Sequence, residues 1–256
     1  MSLTHAVVVV LAGVFAGTIN TIVGSGTLVT FPTLLLLGIP PVTANVSNNI
    51  GLVAGGATGA WGYRSEIKGS RAYLARLAPM SFLGSVVGAL LLLTLPASAF
   101  SAIVPVLIAI GLLLVVFGPA LQRRFRHDEE DGPEPSWTRW AMLVGVFVAG
   151  VYGGYFGAAQ GVILMGLLSA LSAEPLQRLN GWKNVLSLVV NLVAALVFVI
   201  VAFDRIDWLV ALLIGIGSFV GGFVGASVGR RIPPLALRGL ILLIGIVAIV
   251  KLVFFP

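Results

Sequence analysis

The chain has 256 residues, of which 59% are hydrophobic and only 9% charged, and its mean hydropathy is +1.10. A soluble domain of that length cannot bury so much apolar surface, so the composition defines an integral membrane protein. The net charge of +6 sits in short loops between apolar runs, a topology signal rather than a nucleic-acid surface, and the lack of cysteine excludes disulfides, thiolate metal sites and thiol catalysis.

Apolar segments run over 5–37, 45–62, 71–95, 97–121, 141–172, 180–203, 207–229 and 233–255. The opening MSLTHAVVVV lacks the basic start of a cleaved signal peptide and reads as mature sequence. Segment 5–37 would be about 50 Å long as one helix, against roughly 30 Å of hydrocarbon. It contains GTINTIVGSGTLVTFP, with Gly17, Gly24, Gly26 and Pro32. The expectation is a break near Gly24 and a short second helix from about Thr27. Segment 45–62 opens on Asn45, Asn48 and Asn49, and segment 71–95 carries Gly84 and Gly88.

The run RRFRHDEEDGPEPS follows segment 97–121 and is too polar to pack, which makes 122–140 a solvated linker. Segment 141–172 repeats the anomaly of the first. It contains GVYGGYFGAAQGVILM, with Gly150 and Gly157 spaced like Gly17 and Gly24, and Gln160 placed like Thr27. Segment 180–203 carries Asn180, Lys183, Asn184 and Asn191. Segment 207–229 has Gly217, Gly221, Gly225 and Gly229 at helical spacing. These glycines, with Gly84 and Gly88, read as smooth faces for close helix approach.

The halves match in order. Asn45 and Asn49 recur as Asn180 and Asn184, Gly84 and Gly88 as Gly221 and Gly225, and the glycine breaks recur with them. The chain is therefore an internal duplication, residues 1–121 and 141–256 flanking the linker. A re-entrant broken hairpin plus three full spans makes an odd number of crossings per unit, so the units are expected to be inverted. Positive charge agrees. With both termini outside, thirteen of fifteen Lys and Arg residues fall on the cytoplasmic side, whereas eight single crossings strand Arg230, Arg231 and Arg238 outside. The expected fold is all-α and polytopic: two inverted repeats, each a broken hairpin followed by three transmembrane helices.

Broken helices at membrane depth leave backbone groups unpaired, tolerated only against protein or a watery cavity. Short helices starting at Thr27 and Gln160 point free N–H groups and a positive dipole end at each break, a backbone-built anion site. The plainer alternative is that the glycines only permit tight packing. Asn180, Asn184 and Asn191 share one helix face, Asn45, Asn48 and Asn49 open the aligned span, and Asn20 precedes the first break. They line a polar path, or each simply bonds a neighbouring helix. Lys183, aligned with neutral Asn48, is either a snorkelling interface lysine or the counter-ion of an anionic substrate. Tyr152 and Tyr155 supply hydroxyl donors or ordinary packing. Every acidic residue and both histidines fall in or beside loops, which leaves no intramembrane carboxylate for a proton relay or Na⁺ cage. No metal cluster, nucleophile–base pair or cofactor motif appears, so no enzyme, metal or cofactor is expected.

The motifs GTINTIVGSGTLVTFPTLLLLGIPPVTANVSNN, GVYGGYFGAAQGVILM and RLNGWKNVLSLVVNLVAALVF, in this order, resemble the TauE/SafE family of sulfite exporters over nearly the whole chain. The resemblance implies a bacterial inner-membrane, multi-pass carrier exporting sulfite or organosulfonates such as sulfoacetate. By motif it carries over Asn20, Gly24, Gly26, Pro32, Ala44, Asn45 and Asn49 in the first block, and Gly154, Tyr155, Gly157, Gln160, Asn180, Lys183 and Asn184 in the second. Ala159 departs from a position where the family often has glycine. The expected substrate site comprises Asn20, Gly24, Ser25, Gly26, Thr27, Asn45, Asn48, Asn49, Tyr152, Tyr155, Gly157, Gln160, Asn180, Lys183, Asn184 and Asn191. The expected partners are a small anion and the lipid bilayer, with no nucleic acid. A passive anion channel or an importer on the same scaffold is the alternative. Oligomeric state is left open, a homodimer included.

Overall fold

A computed structural model describes residues 1–124 and 136–228, with isolated positions between 239 and 250. The described residues are helical throughout, without strands: α1 (Leu3–Ile22), α2 (Thr27–Leu36), α3 (Pro41–Gly62), α4 (Arg71–Thr94), α5 (Ala97–Arg124), α6 (Ser136–Tyr155), α7 (Gln160–Leu171), α8 (Leu176–Val201) and α9 (Trp208–Val228). A single 3₁₀ turn, Phe203–Arg205, joins the last two. Segments 5–37 and 141–172 each divide as expected, and the second pieces begin at Thr27 and Gln160. The expected linker is shorter than 122–140, because α5 continues to Arg124 and α6 starts at Ser136. The eighth apolar segment, 233–255, and Gly229 lie outside the described residues.

Local chemistry explains the boundaries. Ser2 caps α1, its hydroxyl accepting from the His5 N–H at 3.2 Å. Proline stands at the start of α3 (Pro41) and immediately before α8 (Pro175), where its missing N–H costs nothing. α1, α4, α8 and α9 are each long and apolar enough to cross a bilayer. Their outer faces present large apolar side chains such as Leu11, Phe15, Phe82, Leu196 and Phe219. In a membrane protein such a face meets lipid. Trp61, Trp137 and Trp140 stand exposed near the ends of α3 and α6, as interfacial aromatics do.

The helices pack by exchange between the halves. α1 lies mainly against α9, and α6 lies mainly against α4. α3 and α8 fill the centre, α3 on α9 and α8 on α4, and they touch each other. The glycine rows mark these crossings. A β-carbon on Gly84 would lie 2.3 Å from the Phe147 carbonyl oxygen, and one on Gly88 2.1 Å from that of Val151. On the other pair, Gly217 meets Val10 O at 2.2 Å and Gly221 meets Val14 O at 2.1 Å. Backbones this close exclude any side chain, so the rows do the packing the sequence assigns them. Hydroxyls tie the same crossings: Thr18 Oγ1 donates to Gly221 O (3.1 Å), Ser85 Oγ to Val190 O (2.7 Å) and Ser218 Oγ to Gly51 O (2.8 Å).

Candidate anion site at the two helix breaks

The breaks occupy Val23–Gly26 and Phe156–Ala159 and meet each other. Gly161 N–H donates to Gly24 O at 2.9 Å, and a β-carbon on Gly24 would come within 2.3 Å of Gly161 Cα. Gly24 and Gly157 both take positive φ (86° and 76°), which reverses the chain out of helical conformation. Ala159 does so as well, at φ 61°, the one non-glycine residue among those described to do so. Its methyl group is fully buried and does not close the break.

Most N–H groups at the starts of the two short helices, expected to be free, are engaged, Gly161 N–H by Gly24 O. Leu28, Val29 and Thr30 bond back to Ser25 and Gly26 carbonyls, and Gln160, Val162 and Ile163 to those of Gly157 and Ala159. The backbone N–H groups of Ser25, Gly26, Thr27, Ala158 and Ala159 find no hydrogen-bond partner among the described residues, although all five residues are buried. Ser25 Oγ and Gln160 Nε2 are likewise buried and without a partner, and so is Tyr155 OH. Buried donors are normally satisfied, so a concentration of them makes this a candidate place for an acceptor. The Gln160 carboxamide is held over Gly153: a β-carbon there would sit 2.4–2.6 Å from its atoms.

Asparagines and Lys183 serve the opposite, carbonyl ends of the broken helices, again by exchange. Lys183 is fully buried, and its ammonium donates to Asn20 O and Thr21 O at the end of α1, each at 3.0 Å. Asn184 and Asn180 Nδ2 add bonds to Thr21 O at 3.2 and 3.4 Å. Cations and amides here complement the negative end of the helix. In the other half Asn45 Nδ2 donates to Tyr155 O, the end of α6, at 2.9 Å. Lys183 therefore does not snorkel, and it leaves the set of loop charges that report topology.

The remaining candidates divide. Asn48 joins the first short helix, α2, to α3, accepting from Thr30 Oγ1 and donating to Thr27 Oγ1 at 3.3 Å. Asn49 Nδ2 donates to Asn191 Oδ1 at 3.4 Å, so this pair spends itself on the α3–α8 crossing. Tyr152 donates its hydroxyl to Ala158 O at 2.5 Å and braces the second break. The Asn20 side chain is half-buried beside Gly26.

An aromatic wall flanks the breaks, and sequence reasoning missed it. Phe31 meets Phe156 edge-on at 5.1 Å, and Phe100 meets Phe156 and Tyr155 at 6.0 and 5.7 Å. Phe156 inside the glycine motif was the available signal; Phe100, on α5, had none. Among the described residues no group of His, Asp or Glu could hold a metal ion.

A polytopic helical bundle whose paired breaks hold unpartnered N–H groups is the architecture of a membrane transporter. The family described as Sulfite exporter TauE/SafE matches residues 9–252, and the chain belongs to it. The "Probable membrane transporter protein" of Haemophilus influenzae is 28% identical over 209 residues, covering 81% of this chain and 78% of its own length. A Sinorhizobium protein, "Probable membrane transporter protein ORF9", is 29% identical over 82% of this chain and 77% of its own. "Probable membrane transporter protein YfcA" of Escherichia coli K12 is 28% identical over 80% and 73%. No solved structure matches. The family and these names indicate transport rather than enzymatic chemistry.

Proposed function

We propose that the chain exports a small sulfur oxyanion, sulfite or an organosulfonate, across the bacterial inner membrane by alternating access. The observation that carries this reading is the set of buried, unpartnered donors at the paired breaks: five backbone N–H groups with Ser25 Oγ and Gln160 Nε2. Such a donor set is suited to the dispersed charge of an SO₃ group, each N–H contributing little and releasing easily. Lys183, whose ammonium bonds Asn20 O and Thr21 O at the end of α1, supplies positive charge beside the first break. Sulfite and export come from the family's description, the organosulfonate alternative from the motif resemblance, and the inner membrane from a helical fold with bacterial relatives.

The inverted-repeat reading is part of the proposal. The exchanged packing supports it, since α1 on α9 corresponds to α6 on α4 under the repeat alignment. Phe147 and Val14, the residues met by Gly84 and Gly221, are themselves equivalent positions. The direct Gly24–Gly161 contact favours a carrier over an open channel, because passage requires the two halves to move apart there. Because the packing is exchanged, the bodies that part are α1, α3 and α9 on one side and α4, α6 and α8 on the other, rather than the sequence halves 1–121 and 141–256.

The test is efflux of radiolabelled sulfite from proteoliposomes, beside Gln160→Glu, which sets a carboxylate where the amide donor stood with little change in shape. Saturable efflux in the native protein, reduced at least tenfold in folded Gln160→Glu, is expected. Efflux unaffected by that change would remove the anion from the breaks.

A further inference from the structure

A second recess lies away from the breaks, at the end of the bundle where α4, α6 and α8 begin. It has a volume of about 1070 Å³ and is bounded by α4, the first turns of α6, the α7–α8 connection and Trp182. Its rim is basic: Lys68, Arg76 and Arg139 are exposed, and among the described residues no carboxylate pairs with them. Arg178 also lines it, but is held by Glu174 at 2.6 Å, the one acid in the lining. Its walls are apolar, with Leu77, Met80, Met142, Leu143 and Leu171. Trp182 stacks on Tyr73 at 4.3 Å between ring centres, and its buried indole N–H has no partner.

Charge and depth identify the occupant. Three cations with no carboxylate partner among the described residues call for an anion, and a phosphodiester is the anion that carries long apolar chains. The exposed Trp137 and Trp140, beside Thr138 and Arg139 of the rim, fix this end of α6 at the membrane–water interface. A free oxyanion would use the rim and leave the apolar walls wet; zwitterionic lipid would use the walls and leave the cations unmatched. We propose that this groove binds an anionic phospholipid, its phosphate between Arg76 and Arg139 and its acyl chains along α4 and α6. The lipid would brace the α4–α6 pair, the glycine-packed crossing that anchors the second break. This site depends on the chain being a membrane protein and not on which anion it carries.

The experiment uses the full-length protein purified in neutral detergent, with thermal unfolding and native mass spectrometry as readouts. Phosphatidylglycerol is expected to raise the unfolding midpoint by about 2–4 °C or more and to survive as a bound adduct, while phosphatidylcholine, inorganic phosphate and sulfite do neither. Arg76→Gln/Arg139→Gln, two exposed sites whose loss leaves the fold intact, is expected to lower adduct retention at least tenfold. Arg64→Gln/Arg71→Gln, at the same end but lining a neighbouring recess that shares only Lys68 with this groove, is expected to keep it. Equal stabilisation by phosphatidylcholine or by free phosphate, or a preference that survives in the first variant or disappears in the second, would overturn the assignment.

Discussion

Replacing Lys183 with methionine separates the two things this side chain can do. Methionine fills nearly the same volume without charge, so packing against Gly161 and the α1 end is retained. Two bonds of 3.0 Å disappear. Thr21 O keeps Asn184 and Asn180 as donors, at 3.2 and 3.4 Å, whereas Asn20 O keeps none. Leaving one buried carbonyl unpaired costs about 1–3 kcal/mol. Against that, an ammonium with no carboxylate beside it is no longer taken out of water, which offsets several kcal/mol. The expected result is a variant as stable as the native protein or more so, its midpoint unchanged or raised by a few degrees at about 2–4 °C per kcal/mol. Sulfite efflux, by contrast, should fall at least tenfold, because the positive charge at the end of α1, beside the first break, has gone. Fluorescence-detected melting in detergent and proteoliposome flux read the two separately. A midpoint lowered by more than about 10 °C would show that the lysine is chiefly a helix cap, and native flux would show that it is no counter-ion.

Other substitutions probe the breaks directly. Gly24→Ala puts a methyl 2.3 Å from Gly161 Cα at a φ of 86°; strain of about 1–2 kcal/mol from the dihedral alone, plus the clash, should lower the midpoint and part the two breaks. Ala159→Gly relieves the same strain at φ 61° but gives up chain stiffness, so the midpoint should hold or rise slightly; a clear fall would mean the methyl packing outweighs the strain. Gly153→Ala drives a β-carbon into the Gln160 carboxamide and should raise the half-saturating sulfite concentration with little change in melting. Asn45→Leu unpairs Tyr155 O and should cost about 1–3 kcal/mol, read as a lower midpoint.

Much of this arrangement is legible in the sequence because membrane helices announce their failures. A 33-residue apolar run with glycines near its middle must break, and the restart points at Thr27 and Gln160 follow from where polarity returns. The repeat alignment finds the asparagine positions and the glycine rows for the same reason. What stays hidden is adjacency. Lys183 looks like an interface lysine until α8 is known to cross the end of α1, and nothing along the chain states that crossing. Asn49 and Asn191 look like path-lining residues until they are found facing each other. The Gly153–Gln160 contact and the basic groove assemble from pieces that single-segment periodicity cannot relate. Phe100 belongs to the wall only because α5 folds back over the second break.

The exchanged packing also bears on how the chain comes to be built. α1 leaves the ribosome before the other described helices, yet the helix whose glycines it is shaped to meet, α9, is synthesised about 200 residues later. At 5–20 residues per second that leaves α1 in the translocon or the lipid for roughly 10–40 s, its Thr18 hydroxyl without Gly221 O and the carbonyls of Asn20 and Thr21 without Lys183. α6 has no such wait, since α4 is already in place when it emerges. The two halves are therefore unlike in biogenesis: α1 waits for the helix it packs on, and α6 meets its own as it arrives.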